Sequence, residues 1–423
     1  MLLNVYKVLS VLLSPFLRAY FYARCFYGKE KIESVKNRFG IPTAERPSGK
    51  LVWIHAASVG ESTAAMSYVN HLKRRFPKLN VLITTITVTS ADMLSPKIAK
   101  IDGCEHQFSA VDNPFWVKKF LDYWRPSAAF FLESEIWPIA IDSLYKRKIP
   151  IFLISAKLSL KSFRKWSAFK NFLTETLQKV AAILAQSEID LERYRLFSPK
   201  NTSRMDNLKY ANDPLPCDED LLKKFQEAYA GKRVFTAASS HEGEEDVILE
   251  AHEKLKKKFD IVTVIIPRHL TRMKRICEIF KKHSTKFCLR SENNFSNDCD
   301  VVCVDAYGEV GTFYRASDVC FVGGSLVPIG GHNIFEPVAL GKPVLHGPFM
   351  DSALETRDML QKKGVAFEVK DSDDICKICS ELMSDPEKLS AISKLAAETA
   401  KNDALKQIDE ATRKVFDSIN KKR

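Results

Sequence analysis

The sequence predicts an α/β protein made of two successive doubly wound domains, each built on a parallel sheet. Three observations lead to this fold class. The chain has 423 residues, which is too long for one ordinary hydrophobic core. Short, continuously apolar runs alternate with amphipathic stretches, as expected where helices cover both faces of a parallel sheet. The alternation breaks once, near residues 210–220, and then restarts.

The N-terminal segment differs from the rest of the chain. Residues 1–22 are apolar and aromatic but are interrupted by Lys7, Pro15 and Arg18. They carry no small-residue cleavage site, and a clean membrane span needs about 20 uninterrupted apolar residues. Because basic residues follow closely, we expect residues 1–34 to form an anchor with its positive flank in the cytoplasm. A first helix packed on the domain remains the alternative, and the pattern does not separate a dipping anchor from a true span.

Five apolar runs in the first half predict strands, and amphipathic stretches between them predict helices. The predicted strands are residues 51–56, 81–86, 128–133, 149–155 and 181–186. The clearest helical stretches are residues 113–124 and 163–180. We therefore expect residues 35–212 to form the first Rossmann-like domain.

The second half repeats this arrangement. Residues 210–220 are rich in Pro, Asp and Asn and are predicted to link the domains. The strands predicted after them are residues 233–240, 261–267, 300–306, 319–325 and 343–347. Residues 213–396 are the expected second domain, and 397–423 a charged helix that could return to the first. Two such sheets would direct their carboxyl ends, and hence their ligands, toward a shared interdomain cleft.

Composition and charge restrict the classes of partner. Lys and Arg number 64 against 52 Asp and Glu, so the net charge of +12 favours anionic partners. Nucleic acid is not expected, because no basic run carries interleaved aromatic residues. Ten cysteines are scattered without a zinc-binding spacing, which indicates free thiols in a reducing compartment and a cytoplasmic catalytic part.

The first candidate catalytic residue is Glu61. The strand at 51–56 is followed by small residues and Gly60, which let the backbone approach a ligand closely. Glu61 then stands at a helix start, where a carboxylate could accept a proton from an attacking hydroxyl. A helix-start acid favoured by the helix dipole explains the same pattern, and on this segment alone that explanation is the stronger one.

A second acidic pair, Glu133 and Glu135, closes the strand at 128–133. A carboxylate at the end of a buried strand is costly unless it is paired or used in chemistry. The pattern favours neither of these two explanations over the other.

In the second half, glycine turns and cations follow several strands. Gly323 to Ser325 follow one strand, and Gly330 to Asn333 lead into the helix that carries Glu336. Backbone N–H groups at such turns bind phosphate, although turns need glycine in any case and Asn333 could simply be a helix cap.

Two further strands end in the same way, at Gly308-Glu309 and at Arg268-His269. Together the strand ends predict one anion site. There is no P-loop and no dinucleotide fingerprint, and no aspartate pair at a strand end invites a metal. The pattern is compatible with a monophosphate leaving group, which Arg and backbone dipoles can stabilise without a metal.

Several motifs give the chain a resemblance to a known family. They are HAASVGES (55–62), TTITVTS (84–90), ESEIWP (133–138), AQSEID (185–190), NLKY (207–210), SSHEGEE (239–245), PRH (267–269), FVGGSLVPIGGHNIFEP (321–337) and ALGKPVLHGP (339–348). In order and spacing they resemble the 3-deoxy-D-manno-octulosonic acid (Kdo) transferases of lipopolysaccharide synthesis, from about residue 35 to residue 390. The run 321–337 is the most specific.

The resemblance implies a GT-B fold whose first domain binds a lipid A precursor (lipid IVA) and whose second domain binds CMP-Kdo. It implies transfer with inversion at the cytoplasmic face of a bacterial inner membrane, next to its anionic lipids, with no metal or other cofactor. It further implies that Glu61 is the general base and that Glu133 and Lys209 stabilise the transition state. The residues implied to hold CMP are Arg268, His269, Gly308, Glu309, Val310, Asn333, Ile334, Phe335 and Glu336.

Some positions depart from the family pattern. Lys157 stands where the family commonly has Arg, and a lysine cannot offer the bidentate fork of a guanidinium. Asp206 replaces a glycine before the Asn-Leu-Lys motif, and Ser352-Ala353 replace Asn-Phe. These changes bear on acceptor geometry more than on nucleotide binding.

Two alternatives, another sugar-nucleotide enzyme and a protein of a different class, explain part of the pattern. Another GT-B-like sugar-nucleotide enzyme, such as a lipid A disaccharide synthase or a 2-epimerase, would share the fold, but would prefer UDP to CMP. A non-catalytic membrane tether would explain the net charge and the N-terminal segment alone. The number of Kdo residues transferred, the oligomeric state and the acyl specificity are not encoded in any local motif.

Overall fold

The helices and strands form two compact units, seen in a computed structural model that describes residues 2–211, 214–292, 295 and 298–421. The first unit comprises Met1–Asn212 and Asn402–Arg423, and the second comprises Asp213–Lys401. The predicted boundary between residues 212 and 213 lies outside the described residues.

The described strands of the first unit form one parallel sheet of order β3-β2-β1-β4-β5-β6-β7. They are β1 Leu51–His55, β2 Asn80–Thr85, β3 Cys104–Phe108, β4 Ala128–Leu132, β5 Ile151–Ala156, β6 Ala182–Ala185 and β7 Thr202–Arg204. All five predicted strands are confirmed. The two edge strands, β3 and β7, were missed because their sequences, CEHQF and TSR, are too polar to read as buried runs.

Helices cover both faces of this sheet. They are α1 Leu2–Leu12, α2 Ser14–Phe26, α3 Ile32–Arg38, α4 Val59–Arg75, α5 Val88–Ile98, α6 Pro114–Trp124, α7 Pro138–Lys146, α8 Leu160–Ser167, α9 Lys170–Leu177 and α10 Glu188–Arg195, with a 3-10 turn at Leu208–Tyr210. The predicted helix 163–180 is therefore two short helices. Asn113 caps α6 by accepting hydrogen bonds from the N–H groups of Phe115 and Trp116.

The sheet separates two hydrophobic cores. Because neighbouring side chains of a strand point to opposite faces, Phe130 packs against Tyr68 in one core while Phe131 packs against Trp53 in the other. Both phenylalanines are fully buried, and this packing on two sides fixes the position of the end of β4, where Glu133 follows.

The second unit repeats the architecture with a parallel sheet of order β10-β11-β9-β8-β12-β13-β14. Its described strands are β8 Arg233–Ser240, β9 Ile261–Pro267, β10 Phe287–Leu289, β11 Val301–Cys303, β12 Val319–Val322, β13 Val344–His346 and β14 Ala366–Glu368. Its described helices are α11 Glu219–Ala228, α12 Glu244–Lys256, α13 Met273–Lys282, α14 Val310–Ala316, α15 Phe335–Ala339, α16 Leu354–Lys362, α17 Ser372–Met383 and α18 Pro386–Ala400, with 3-10 turns at Leu270–Arg272, Arg290–Glu292 and Asp351–Ala353.

The last helix, α19 (Ala404–Lys421), belongs to the first unit. Phe416 stacks on Phe76 with ring centroids 5.0 Å apart, and Asp409 lies 2.9 Å from the ring of His71 on α4. The amphipathic face of α19 thus completes the core on one side of the first sheet.

The two N-terminal helices lie on the first unit along one of their sides. Nζ of Lys7 in α1 forms an ion pair with Oδ2 of Asp142 at 2.5 Å. The side-chain amide of Asn113 donates a hydrogen bond of 2.9 Å to the carbonyl oxygen of Ser10. The opposite sides expose large apolar residues, among them Val8, Leu9, Leu12, Leu13, Phe16 and Phe26. Among the described helices none alone is long and apolar enough to cross a membrane, whereas α1 and α2 pass that test as a pair bent by 53°.

Candidate active site

Glu61 lies in the first turn of α4, just beyond the end of β1. Ser58 caps this helix, since its hydroxyl accepts a hydrogen bond from the N–H of Glu61 at 3.3 Å. In return, Oε1 of Glu61 accepts a hydrogen bond from the Ser58 hydroxyl at 3.0 Å, and Oε2 accepts one from the N–H of Ala57 at 2.7 Å. The carboxylate is thus oriented by two hydrogen bonds at the helix start.

The electrostatic environment of Glu61 strengthens it as a base. Burial raises its pKa above the usual value of a glutamate, and the hydrogen bond from Ala57 opposes this rise. The negative charges of Glu135 and Glu133 raise the pKa further, while Ser58 lowers it. A carboxylate that is 7% exposed and has a raised pKa holds a proton more readily than one in water, as a general base requires.

Glu133 and Lys209, which the family resemblance assigned to the same site, meet directly. Nζ of Lys209 lies 2.9 Å from Oε1 of Glu133, and both side chains are largely buried. Glu133 follows β4 with a positive φ of 51°, a backbone conformation that is uncommon for a residue other than glycine. The side chain of Lys209 also lies beside Gly60. A Cβ atom added at Gly60 would lie 3.5 Å from Nζ of Lys209. The first unit therefore gathers the predicted catalytic residues at the carboxyl edge of β1 and β4.

Glu135 is not part of this pair, although the sequence placed it beside Glu133. Its Oε2 lies 3.1 Å from Nε2 of His55 and accepts a hydrogen bond of 2.7 Å from Trp137. Nδ1 of His55 in turn contacts the hydroxyl of Thr84 at 2.8 Å. Burial raises the pKa of Glu135, but the hydrogen bonds and the charge of His55, together with Trp137, hold it below its usual value.

In the second unit, a buried carboxylate occupies the glycine turn that follows β12. The fully buried side chain of Glu244 accepts hydrogen bonds from the N–H groups of Gly324, Ser325 and Leu326 at 2.8–3.0 Å, and from that of His241 at 2.9 Å. The expectation that the turn at 323–325 offers free amides to a phosphate was therefore wrong, because Glu244 uses the amides of residues 324 and 325 itself.

The next residue of α12, Glu245, fixes the loop after β9. Arg272 donates to both of its oxygens, at 2.9 and 3.0 Å, and Ser240 donates to Oε1 at 2.9 Å. Because Arg272 closes the 3-10 turn that begins just after Arg268 and His269, this ion pair sets where those two predicted ligands stand.

Three histidines and an arginine converge at the carboxyl edge of β8 and β9. Nε2 of His241 lies 2.8 Å from Nε2 of His332, and the edge of His241 faces the ring of His269 at 5.6 Å between centroids. Burial, together with the neighbouring His241, Arg268 and His269, lowers the pKa of His332 to about 4. Such a concentration of nitrogen donors suits an anionic ligand. The sequence analysis gave no role to His241 or His332. His332 directly follows the glycine turn at 330–331 and His241 lies in the SSHEGEE motif, but nothing local indicates that the two rings meet.

The predicted donor residues from Asn333 to Glu336 lie next to this cluster. The side-chain nitrogen Nδ2 of Asn333 donates to Oε1 of Glu336 at 3.2 Å. Its side-chain oxygen Oδ1 accepts a hydrogen bond from the N–H of Phe335 at 3.1 Å. Burial raises the pKa of Glu336, and Asn333 and then Arg268 oppose that rise. The side chains of Ile334 and Phe335 are buried, so this segment can offer a ligand only its backbone and the side chains at 333 and 336.

Gly308, Glu309 and Val310 lie after β11, the neighbour of β9. Gly308 has φ 89°, which favours glycine, and the structure pairs Glu309 with Arg290 at 2.8 Å. Val310 begins α14. Across the described part of the chain, no three His, Cys, Asp or Glu side chains are arranged to hold a metal ion.

Comparisons with known proteins identify the family. Residues 33–212 match the family model described as 3-deoxy-D-manno-octulosonic-acid transferase (kdotransferase). The 3-deoxy-D-manno-octulosonic acid transferase of Rickettsia bellii is 34% identical over 386 residues, 90% of this chain and 91% of that protein. The one of Haemophilus influenzae is 31% identical over 83% of this chain and 84% of its own.

Solved structures give the fold. The crystal structure of MurG from Acinetobacter baumannii matches 86% of this chain and 99% of its own length, with a TM-score of 0.52 and 10% identity. The fold is thus of the GT-B type, with two Rossmann-like halves, as the sequence predicted.

Proposed function

Since the chain belongs to the family of 3-deoxy-D-manno-octulosonic acid transferases, and is therefore a glycosyltransferase, we propose that it moves Kdo from CMP-Kdo onto a lipid A precursor such as lipid IVA. The observation that carries the proposal is Glu61, an oriented and buried carboxylate with a raised pKa at the carboxyl edge of the first sheet. The proposed reaction inverts the anomeric carbon of the sugar.

In the proposed reaction, Glu61 accepts the proton of one acceptor hydroxyl. The oxygen freed of this proton attacks the anomeric carbon of Kdo, and the bond between that carbon and the phosphate oxygen breaks. The electron pair of the broken bond leaves with CMP. Since the attack comes from the side opposite the leaving group, the configuration inverts. Only one proton transfer is needed, which a single well-placed carboxylate supplies.

Lys209 and Glu133 would act on the charge that develops during transfer. Lys209 carries a positive charge in a partly buried place, where charges interact more strongly than in water. Glu133 holds the ammonium in position. The proposed role of the pair is to stabilise the negative charge of the Kdo carboxylate and of the reacting oxygens.

The donor would bind to the second unit. CMP-Kdo carries a phosphate and a sugar carboxylate, and Arg268 with the neighbouring histidines supplies the matching cation and hydrogen-bond donors. Asn333, Glu336 and the segment 308–310 are proposed to hold the nucleotide. We propose that these residues suffice without a metal ion or another cofactor.

The acceptor is a lipid, and the N-terminal helices suit a membrane surface. Their exposed side carries large apolar residues, and basic residues such as Lys29 and Lys31 follow. We propose that this part attaches the enzyme to the cytoplasmic face of the inner membrane, where anionic lipids attract its positive charge.

The test incubates purified protein with CMP-Kdo and lipid IVA in mixed micelles and measures CMP release and product mass. Release of CMP with a mass gain of one or more Kdo residues is expected. No release with CMP-Kdo, or turnover with a UDP-sugar in its place, would overturn the proposal. Sedimentation with vesicles that contain anionic lipid tests the membrane attachment separately.

A further inference from the structure

The first unit contains a cavity of about 610 Å³ that the proposed chemistry does not use. Its walls are α2, the turn that follows α2, and the loops after β2 and β3. The volume lies within the range of about 300–1,000 Å³ that is usual for ligand pockets.

The lining combines apolar surface with positive charge. Leu17 and Phe21 of α2 line the cavity together with Val88 and Val111. The charged lining residues are Arg24, Lys29, Arg38 and Glu30, three positive and one negative, which leaves a net charge of +2.

The buried part of this charge is already paired. Glu30 and Arg38 form a buried ion pair at 2.9 Å, which Ser34 supports by donating to Glu30 at 2.7 Å. Nε of Arg24 lies 3.4 Å from Oε2 of the same Glu30 carboxylate, which is a longer contact. The side chain of Lys29 is exposed. Arg24 and Lys29 are therefore the cations that an anionic ligand would meet.

The cavity lies at the same edge of the sheet as Glu61. The loops that line it follow β2 and β3, and β2 is the direct neighbour of β1, which leads to Glu61. Trp137 connects the two places, since it lines the cavity and donates to Glu135, which contacts His55 at the end of β1. A ligand in the cavity could therefore extend along one sheet edge to the proposed base.

The helix that forms one wall also carries the exposed apolar surface. Leu17 and Phe21 of α2 line the cavity, while Phe16 and Phe26 of the same helix are 72% and 87% exposed. An apolar chain that leaves a membrane surface would thus meet apolar residues of α2 both on the exposed side of this helix and in the cavity.

We propose that this cavity binds the acylated, phosphate-bearing part of the acceptor lipid. An acyl chain would pack against Leu17, Phe21 and Val111, and the phosphate would lie at Arg24 and Lys29. The inference rests on the proposed function and adds to it the place where the acceptor is held.

The first test fills the cavity. Thr89 is exposed on the first turn of α5 and lines the cavity, so Thr89→Trp should block it without disturbing the core. We expect the KM for lipid IVA to rise at least tenfold while the KM for CMP-Kdo stays unchanged. Ala99→Trp, at the exposed far end of the same helix, is the matched control and should behave like the parent. An unchanged lipid KM in Thr89→Trp would overturn the inference.

The second test removes charge and does not depend on turnover. Binding of a diacylated glucosamine 1-phosphate is measured by calorimetry, together with its dephosphorylated form. Lys29→Gln should weaken binding of the phosphorylated probe several-fold and leave that of the other form alone, while Lys119→Gln on α6 changes neither. If the parent enzyme transfers no Kdo, the proposed function fails, and this assay still decides about the cavity: equal binding by the parent, Thr89→Trp and Lys29→Gln would refute it.

Discussion

The ammonium of Lys209 lies 2.9 Å from the carboxylate of Glu133, beside the helix start that carries Glu61. The 3-10 turn at Leu208–Tyr210 delivers Lys209, and the end of β4 delivers Glu133. Two segments 76 positions apart, residues 133 and 209, thus place opposite charges at the same sheet edge as the proposed base. In the proposed reaction, this arrangement would assign proton removal to Glu61 and charge stabilisation to Lys209.

The first prediction concerns the base. Glu61→Gln keeps the shape of the side chain but cannot accept a proton, so we expect kcat to fall by about 10²- to 10⁴-fold. The KM for CMP-Kdo should change little, because Glu61 belongs to the first unit. Initial rates of CMP release measure both constants. Glu175→Gln, an exposed acid on α9, is the control, and parent-like turnover by Glu61→Gln would remove this residue from the mechanism.

The second prediction concerns the ion pair. Lys209→Met should lower kcat by about 10²- to 10³-fold, as expected when one charged donor to a transition state is removed. Glu133→Gln should cost less, and the double variant should be no slower than Lys209→Met alone, because Glu133 acts by holding the ammonium. Steady-state kinetics of the four proteins measure the coupling. Additive losses would show that the two residues act independently.

The third prediction is a pH dependence. Since burial raises the pKa of Glu61 above 4.5, the carboxylate becomes protonated, and stops acting as a base, at a higher pH than an ordinary glutamate. The rate should therefore fall as the pH drops through this raised pKa and level off above it. Ser58→Ala removes a hydrogen bond that lowers the pKa, so its acidic limb should lie at higher pH. A profile of kcat against pH for both proteins checks the direction, and a shift of the limb to lower pH in Ser58→Ala would contradict it.

How far the sequence predicted the molecule depended on where each residue lies. The central strands were predicted because they are buried on both faces and read as continuous apolar runs, as in LVWIH of β1. The edge strands β3 and β7 carry polar residues such as Glu105 and Ser203. The sheet tolerates these residues because each edge strand has a neighbouring strand on one side only. Periodicity alone does not find such strands.

The candidate sites show the same limit. The placement of Glu61 in the first turn of a helix follows from local sequence, since Ser58 is a typical cap. The partners of Glu135 and of Glu244 did not follow, because His55 and the amides of residues 324–326 are brought to them only by neighbouring strands. A polar residue at a strand end signals that a partner exists, but not which one.

The fourth prediction concerns metal. We expect transfer to proceed in the presence of excess EDTA at the rate of the untreated enzyme, because we propose that Arg268 and the backbone stabilise the leaving phosphate of a monophosphate donor. Added Mg²⁺ or Mn²⁺ should not raise the rate. CMP release before and after chelation measures this, and a loss of activity that a divalent ion restores would show that a metal takes part.

The last prediction concerns Glu244, which organises the turn after β12. Each oxygen of Glu244 accepts from two backbone N–H groups, and replacement by Gln puts an N–H₂ group in place of one of these oxygens, so Glu244→Gln should lower the free energy of unfolding by about 1.5–3 kcal/mol. Urea denaturation measures the loss, and Glu242→Gln, an exposed neighbour, is the control. The affinity for CMP should fall with it, because the displaced turn no longer holds His332 against Gly324. If CMP bound more tightly to Glu244→Gln, the amides would be ligands that Glu244 blocks, and its role as scaffold would be refuted.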